Sequence, residues 1–143
     1  MAASRRPLAQ DEPNRRAEIV RAASRLFAEK GYSATTIRDI AKAVDMQSGS
    51  PFYHFKTKHD MLKAVVLEGM AIITRAVSAA AAQDGTPREV FEAMLLAHLD
   101  QLLAEDGRHF AATLLHESHH LDPAALAELI EQKDAYEALW QKA

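Results

Sequence analysis

Apolar residues recur along this chain at helical spacing. Ile19, Ala22, Ala23, Leu26 and Phe27 fall at i, i+3, i+4, i+7 and i+8, one stripe of a first helix that opens at Pro13 and closes at Gly31. Ile37, Ile40, Ala41 and Val44 make a shorter stripe behind the cap candidates Thr35 and Thr36, interrupted at Asp45-Met46. A third segment runs from Gln47-Ser48 to Phe55, with Gly49 and Pro51 early, where a missing backbone donor does least harm. Helices this short do not stand alone in water. Three of them, the last two joined by a tight turn, follow the helix-turn-helix order.

A longer fourth segment starts at the cap Thr57, with Asp60 three residues on. Its apolar face holds Met61, Leu62, Val65, Val66, Gly69, Ile72, Ile73 and Ala76. Gln83-Asp84-Gly85 breaks it, and Thr86-Pro87-Arg88-Glu89 restarts the chain with a cap, a proline and a third-position Glu. Val90, Phe91, Met94, Leu95, Leu99, Leu102 and Leu103 follow as far as Gly107. A sixth helix covers His109 to His119, and Asp122-Pro123 opens a seventh with Leu126, Leu129, Ile130, Tyr136, Leu139 and Trp140. No strand period or repeat is present. The expected fold class is therefore all-α: a flexible basic arm over 1–12, a three-helix helix-turn-helix unit over 13–56, and a helical body over 57–143, joined by the long fourth helix.

Composition sharpens this division. The 143 residues are 48% apolar and 26% charged, as in a globular protein that builds its own core. The net charge of −3 hides an asymmetry: residues 1–60 carry eleven Lys/Arg against seven Asp/Glu, net +4, and 61–143 carry six against thirteen, net −7. A basic front on an acidic body suits a protein whose one end meets phosphate. The absence of cysteine excludes disulfides and thiolate metal sites. The longest apolar stretch, Gly69 to Ala82, carries Arg75 and is short for a bilayer, and no apolar signal core follows Arg5-Arg6, so a cytoplasmic protein is expected.

The run TTIRDIAKAVDMQSGSPFYHFKTKHDML, residues 35 to 62, resembles the signature of the TetR (tetracycline-repressor) family of transcription regulators. In that family a TT-[hydrophobic]-R-x-I-A start leads through a turn to an aromatic-Y-H-F helix and a K-x-K-x-x-L start. The resemblance implies DNA binding, and the residue types suit it. Thr36, Tyr53, His54 and Lys58 supply hydroxyl, imidazole and ammonium donors for phosphates, which position a protein on a duplex without reading it. Reading falls to Gln47, Ser48, Ser50 and Pro51 at the start of the third helix, with Arg38 able to pair with guanine. Phe52 and Phe55 are expected in the core. Lys58 stands in the first turn of a helix, unfavourable for a cation against the dipole, so an outside partner such as phosphate is expected. Two positions depart from the family pattern: Asp45 takes the place of a turn glycine, and Pro51 stiffens the reading face.

The resemblance further implies a dimer on a palindromic operator and a small, largely apolar effector in the body, released DNA being the response. Pocket candidates are Met70, Ile73, Phe91, Met94, Leu95, His98, Leu115 and Tyr136. Family members continue for two more long helices that make the dimer, so the regulatory domain reads as incomplete, with the Leu139-Trp140 edge as an alternative contact. No cofactor, metal, membrane or enzymatic activity is expected. The alternative is a helical ligand-sensing or interaction module without sequence-specific DNA binding. An enzyme reading arises from His116-Glu117-Ser118-His119-His120, which fits the H-E-x-x-H pattern of zinc proteases. Asp122-Pro123 cuts that segment before a further ligand can follow, which argues against it.

Overall fold

In a computed structural model the backbone is described for residues 8–143 and the side chains from residue 14. Among the described residues six α-helices follow in order: α1 (Leu8–Lys30), α2 (Ile37–Ala43), α3 (Lys58–Ala81), α4 (Pro87–Leu103), α5 (Glu105–Glu117) and α6 (Pro123–Lys142). A 3-10 turn at Ser50–Tyr53 lies between α2 and α3, and another at Ser118–His120 lies between α5 and α6. The described residues contain no strand, so the protein is all-α.

The cap residues act where the sequence put them. Thr57 Oγ1 accepts from the Asp60 N–H at 3.1 Å, and Asp122 Oδ1 accepts from the Ala125 N–H at 2.8 Å. Thr86 and Glu89 make a reciprocal capping box at the start of α4.

By length and composition α3 could cross a bilayer, but α1, α4, α5 and α6 all pack against it, and it serves as the central helix. Met61, Leu62, Val65, Val66, Met70, Ile73 and Val77 line its buried face. They belong to one core that takes in Ile19, Phe27, Ile40 and Phe55 from the front and Met94, Ala125 and Leu129 from the body. Burying each such side chain contributes on the order of 1.5–3 kcal/mol. Across this seam Arg16 grips Glu68 through two bonds of 2.6 and 2.9 Å and lies 5.0 Å from the Phe55 ring centroid. The Glu68 partner raises the pKa of Arg16 further above its usual value. Inside, Thr113 of α5 donates to the Ser24 carbonyl of α1 at 3.1 Å.

Several expectations need correction. α1 begins at Leu8, so Pro13 lies inside it and 8–12 are not an arm; a proline this near a helix start removes one bond to the preceding turn. The expectation for 1–7 lies outside the described residues. The third segment is not an α-helix from Gln47 to Phe55 but the four-residue 3-10 turn Ser50–Tyr53, a length typical of 3-10 winding. Ile72, expected in the core, is 49% exposed. The fifth segment ends at Leu103, and Gly107 lies in the first turn of α5 rather than closing α4. A Cβ at Gly107 would stand 1.6 Å from the Gln101 carbonyl oxygen, so only glycine lets the α4–α5 corner close this tightly.

Candidate nucleic-acid interface

The front of the protein is organised by two turns. In the first, between α1 and α2, Thr35 is fully buried and its Oγ1 meets the Gly31 and Leu26 carbonyls at 2.8 and 3.2 Å. Its neighbour Thr36 faces out and caps α2: Thr36 Oγ1 accepts from the Asp39 N–H at 3.1 Å, and the Thr36 N–H donates to Asp39 Oδ2 at 2.9 Å. Lys30 reaches the same carboxylate at 2.9 Å. The Thr36 backbone bond first, and Lys30 second, lower the Asp39 pKa to about 2.

The second turn ends α2. Asp45 is in the left-handed region at φ 57, the Met46 N–H reaches back to the Ala41 carbonyl at 2.8 Å, and the Asp45 N–H to the Lys42 carbonyl at 3.2 Å. This pair of bonds is the Schellman helix end, in which glycine usually holds the left-handed place. Asp45 therefore keeps the turn that the family forms with glycine. The chain leaves it with Gln47 and Ser48 exposed, and these two share an open cleft of ≈ 510 Å³ with Arg38, Lys42 and Asp45.

Of the sequence-predicted residues, Arg38, Gln47 and Ser48 are thus brought together, and Thr36 stands two residues before Arg38 at the same end of α2. Tyr53 projects from the 3-10 turn at 87% exposure, with the half-buried His54 ring 6.4 Å away. Ser50 is half-buried at the start of that turn. Pro51 is corrected: it is buried as a foot of the turn and cannot reach a base. Phe52 is corrected in the opposite sense. It is 51% exposed beside Tyr53, whereas Phe55 is buried as expected. The compact 3-10 winding turns Pro51 and Phe55 inward and leaves Phe52 and Tyr53 outside.

Lys58 also differs from expectation. Its ammonium donates to the Tyr32 and Thr35 carbonyls at 2.8 and 3.1 Å and sits 4.2 Å from the Tyr32 ring centroid. The first-turn cation is held by the carbonyls of the α1–α2 turn, and no outside partner is needed to account for it. Sequence reasoning missed Lys42, which enters the cleft one helical turn after Arg38; the i, i+4 spacing of the two cations on α2 was the available signal.

Of the expected effector-pocket residues Ile73 lines a cavity, and the others are not gathered around it. Met70, Ile73 and Met94 are core residues; Phe91, His98 and Tyr136 form an aromatic cluster with Trp140; Leu95 and Leu115 are exposed at 42% and 77%. Direct packing of α3, α4 and α6 fills that space. The Leu139-Trp140 edge is likewise turned inward, Trp140 meeting the Phe91 ring edge-on at 5.8 Å. Cavities lie instead around Phe110. One of ≈ 260 Å³ is lined by Ile72, Ile73, Leu102 and Phe110, and another of ≈ 220 Å³ by Val20, Val65, Ile72 and Phe110. Both open beside Gly69, a small residue on an apolar helix face that could have signalled them.

A buried three-element front with its donors around one exposed cleft is the architecture of a helix-turn-helix regulator. Comparison with known proteins is specific. Residues 19–65 match the family model described as bacterial regulatory proteins, tetR family. The HTH-type transcriptional repressor KstR2 of Mycolicibacterium smegmatis is 41% identical over 63 residues, 41% of this chain and 31% of the repressor. A bacterial regulatory protein of the tetR family from Rhodococcus RHA1 superposes with a TM-score of 0.80 at 30% identity, covering 90% of this chain and 66% of that one. A structure described as superantigen pfit superposes at 0.77 with 32% identity, covering 89% and 62%. The chain belongs to the tetR family of bacterial transcriptional regulators. It spans about two thirds of the length of these structural relatives.

Proposed function

We propose that this protein is a repressor that binds a palindromic operator as a homodimer and releases it when a small effector occupies the helical body. The front over 13–56 acts as the DNA-binding domain and 57–143 as the regulatory one. The observation that carries this reading is the convergence of Arg38, Lys42, Gln47 and Ser48 on one open cleft next to the exposed Tyr53. That set offers a guanidinium, an ammonium, an amide and a hydroxyl, the donor types that pair with base edges and phosphates in a major groove. Arg38 and Gln47 read bases. Thr36, Lys42, Tyr53 and His54 hold the backbone, with the net +4 of residues 1–60 behind them.

The dimer is supported by a row of exposed apolar residues on α4, Phe91, Leu95, Leu96, Leu99 and Leu103, with Leu126 and Ile130 on α6. Exposed apolar surface of this extent marks a face meant for burial. A twofold pair of fronts would meet DNA about one helical turn, ~34 Å, apart. For the effector, the two cavities beside Phe110 share α3 and α5, and α1 of the front lines the smaller one. A largely apolar ligand that bound better after a shift of α1 against α3 would weaken operator binding by that differential affinity.

Selection of bound duplexes from a random DNA pool tests the proposal, followed by titration of the winning duplex at several salt concentrations. A palindrome is expected, with Arg38→Ala costing ~1–3 kcal/mol and relaxing the preference at one position of each half-site. Weak binding without an enriched sequence, unchanged by Arg38→Ala, would favour a sensing or interaction module instead.

A further inference from the structure

The histidine-rich end of α5 has no part in the reading above, and its geometry differs from the protease pattern it resembles in sequence. That pattern needs two histidines one turn apart on a continuous helix. Here α5 ends at Glu117, the chain tightens into the 3-10 turn Ser118–His120, and His116 is left exposed on the helix while His120 swings away from it. The groups that converge are Glu117, His119 and His120, whose ligand atoms all lie within 4.8 Å of one another. Glu117 Oε2 stands 3.3 Å from His120 Nε2, and the two histidine rings are 4.1 Å apart.

We infer that Glu117, His119 and His120 form a binding site for a divalent transition-metal ion of the zinc type. Two imidazoles and a carboxylate make a donor set suited to such an ion, and water completes a tetrahedron. With metal–ligand bonds of about 2.0–2.2 Å, tetrahedral ligand atoms are ~3.3 Å apart, the separation already held between Glu117 Oε2 and His120 Nε2 at 3.3 Å.

The surroundings argue for a site rather than a solvated run of polar residues. The side chains of His120 and Glu117 are only 28% and 14% exposed. Among the described residues His120 is the basic group paired with the half-buried Glu117 carboxylate. The Tyr32 ring covers His120 at a centroid distance of 4.8 Å. Gly31, in the left-handed region at φ 85, leaves room for Glu117: a Cβ there would stand 3.2 Å from Glu117 Oε1. The turn between α1 and α2 thus forms one wall of the site, and the corner between α5 and α6 supplies its ligands.

Titration of the untagged full chain with Zn2+ by calorimetry tests the assignment, without reference to DNA. One ion per chain is expected to bind, with a rise in melting temperature that saturates with the ion. His119→Ala and Glu117→Gln should each weaken binding at least about tenfold, while His116→Ala should leave it unchanged within a factor of about two. His119 is exposed, so its replacement leaves the fold intact, which circular dichroism of the metal-free variant verifies. Failure of the wild type to bind Zn2+, equal binding by His119→Ala, or loss of binding in His116→Ala would each overturn the assignment.

Discussion

The ammonium of Lys58 lies over the ring of Tyr32, 4.2 Å from its centroid, and donates to the carbonyl of the same residue at 2.8 Å. One cation thereby ties the first turn of α3 to the loop that ends α1, and offsets the repulsion it feels from the amino-terminal end of its own helix. Removing it should act on stability. Lys58→Ala is expected to lose about 1.5–3 kcal/mol in urea unfolding, the range for hydrogen bonds to a charged group. A variant that keeps full stability yet loses one unit of the salt dependence of DNA binding would instead make Lys58 a phosphate contact.

Gly69 carries the ring of Phe110 where a side chain would stand: a Cβ there would come within 2.0 Å of Phe110 Cδ2. Gly69→Ala must displace the aromatic ring that lines both cavities, and overpacking of this kind costs roughly 1–3 kcal/mol. The paired variant Gly69→Ala/Phe110→Leu should recover part of that loss in thermal unfolding. Additive losses would show that the two residues are not coupled.

Asp45 occupies the left-handed place of the helix end at φ 57. Non-glycine residues pay about 1–2 kcal/mol for that conformation, less for Asp than for most. Asp45→Gly should therefore stabilise by up to ~1 kcal/mol, and Asp45→Val should destabilise. Denaturant midpoints of the two variants on either side of the wild type would show it.

Asp39 links acidity to stability. Its pKa falls from the usual 3.8 to about 2 through the Thr36 backbone bond and Lys30, so folding favours the ionised form. For a depressed acid the contribution is present above the unfolded value and lost as pH falls through the folded one. In the window between about pH 4 and pH 2, Asp39→Asn should lose less stability than the wild type. The carboxylate is at the surface, so high salt should shrink the difference. Parallel acid-unfolding curves for the two proteins would remove Asp39 from the account.

Much of this protein is settled locally and so is legible in its sequence. The apolar stripes of α1 and α3 have a fixed period, Thr36, Thr57, Thr86 and Asp122 cap the residues three positions ahead of them, and Asp45 can accept a positive φ. Each depends on neighbours within one helical turn, and the all-α order and the helix-turn-helix motif follow from them. Tertiary packing decided what lies further apart. A period-3.6 stripe states which face is apolar but not which neighbour covers it, so Leu95, Leu115 and Ile72, expected inside, stand outside, while Met94 is buried in the core. Lys58 found carbonyls 23 and 26 residues away. The histidine motif was redrawn where α5 gives way to a 3-10 turn, placing Glu117 with His119 and His120 against Tyr32 rather than with His116. Contacts between residues distant in the chain form only when helices dock, because the side chains that meet there carry no record of each other in local spacing.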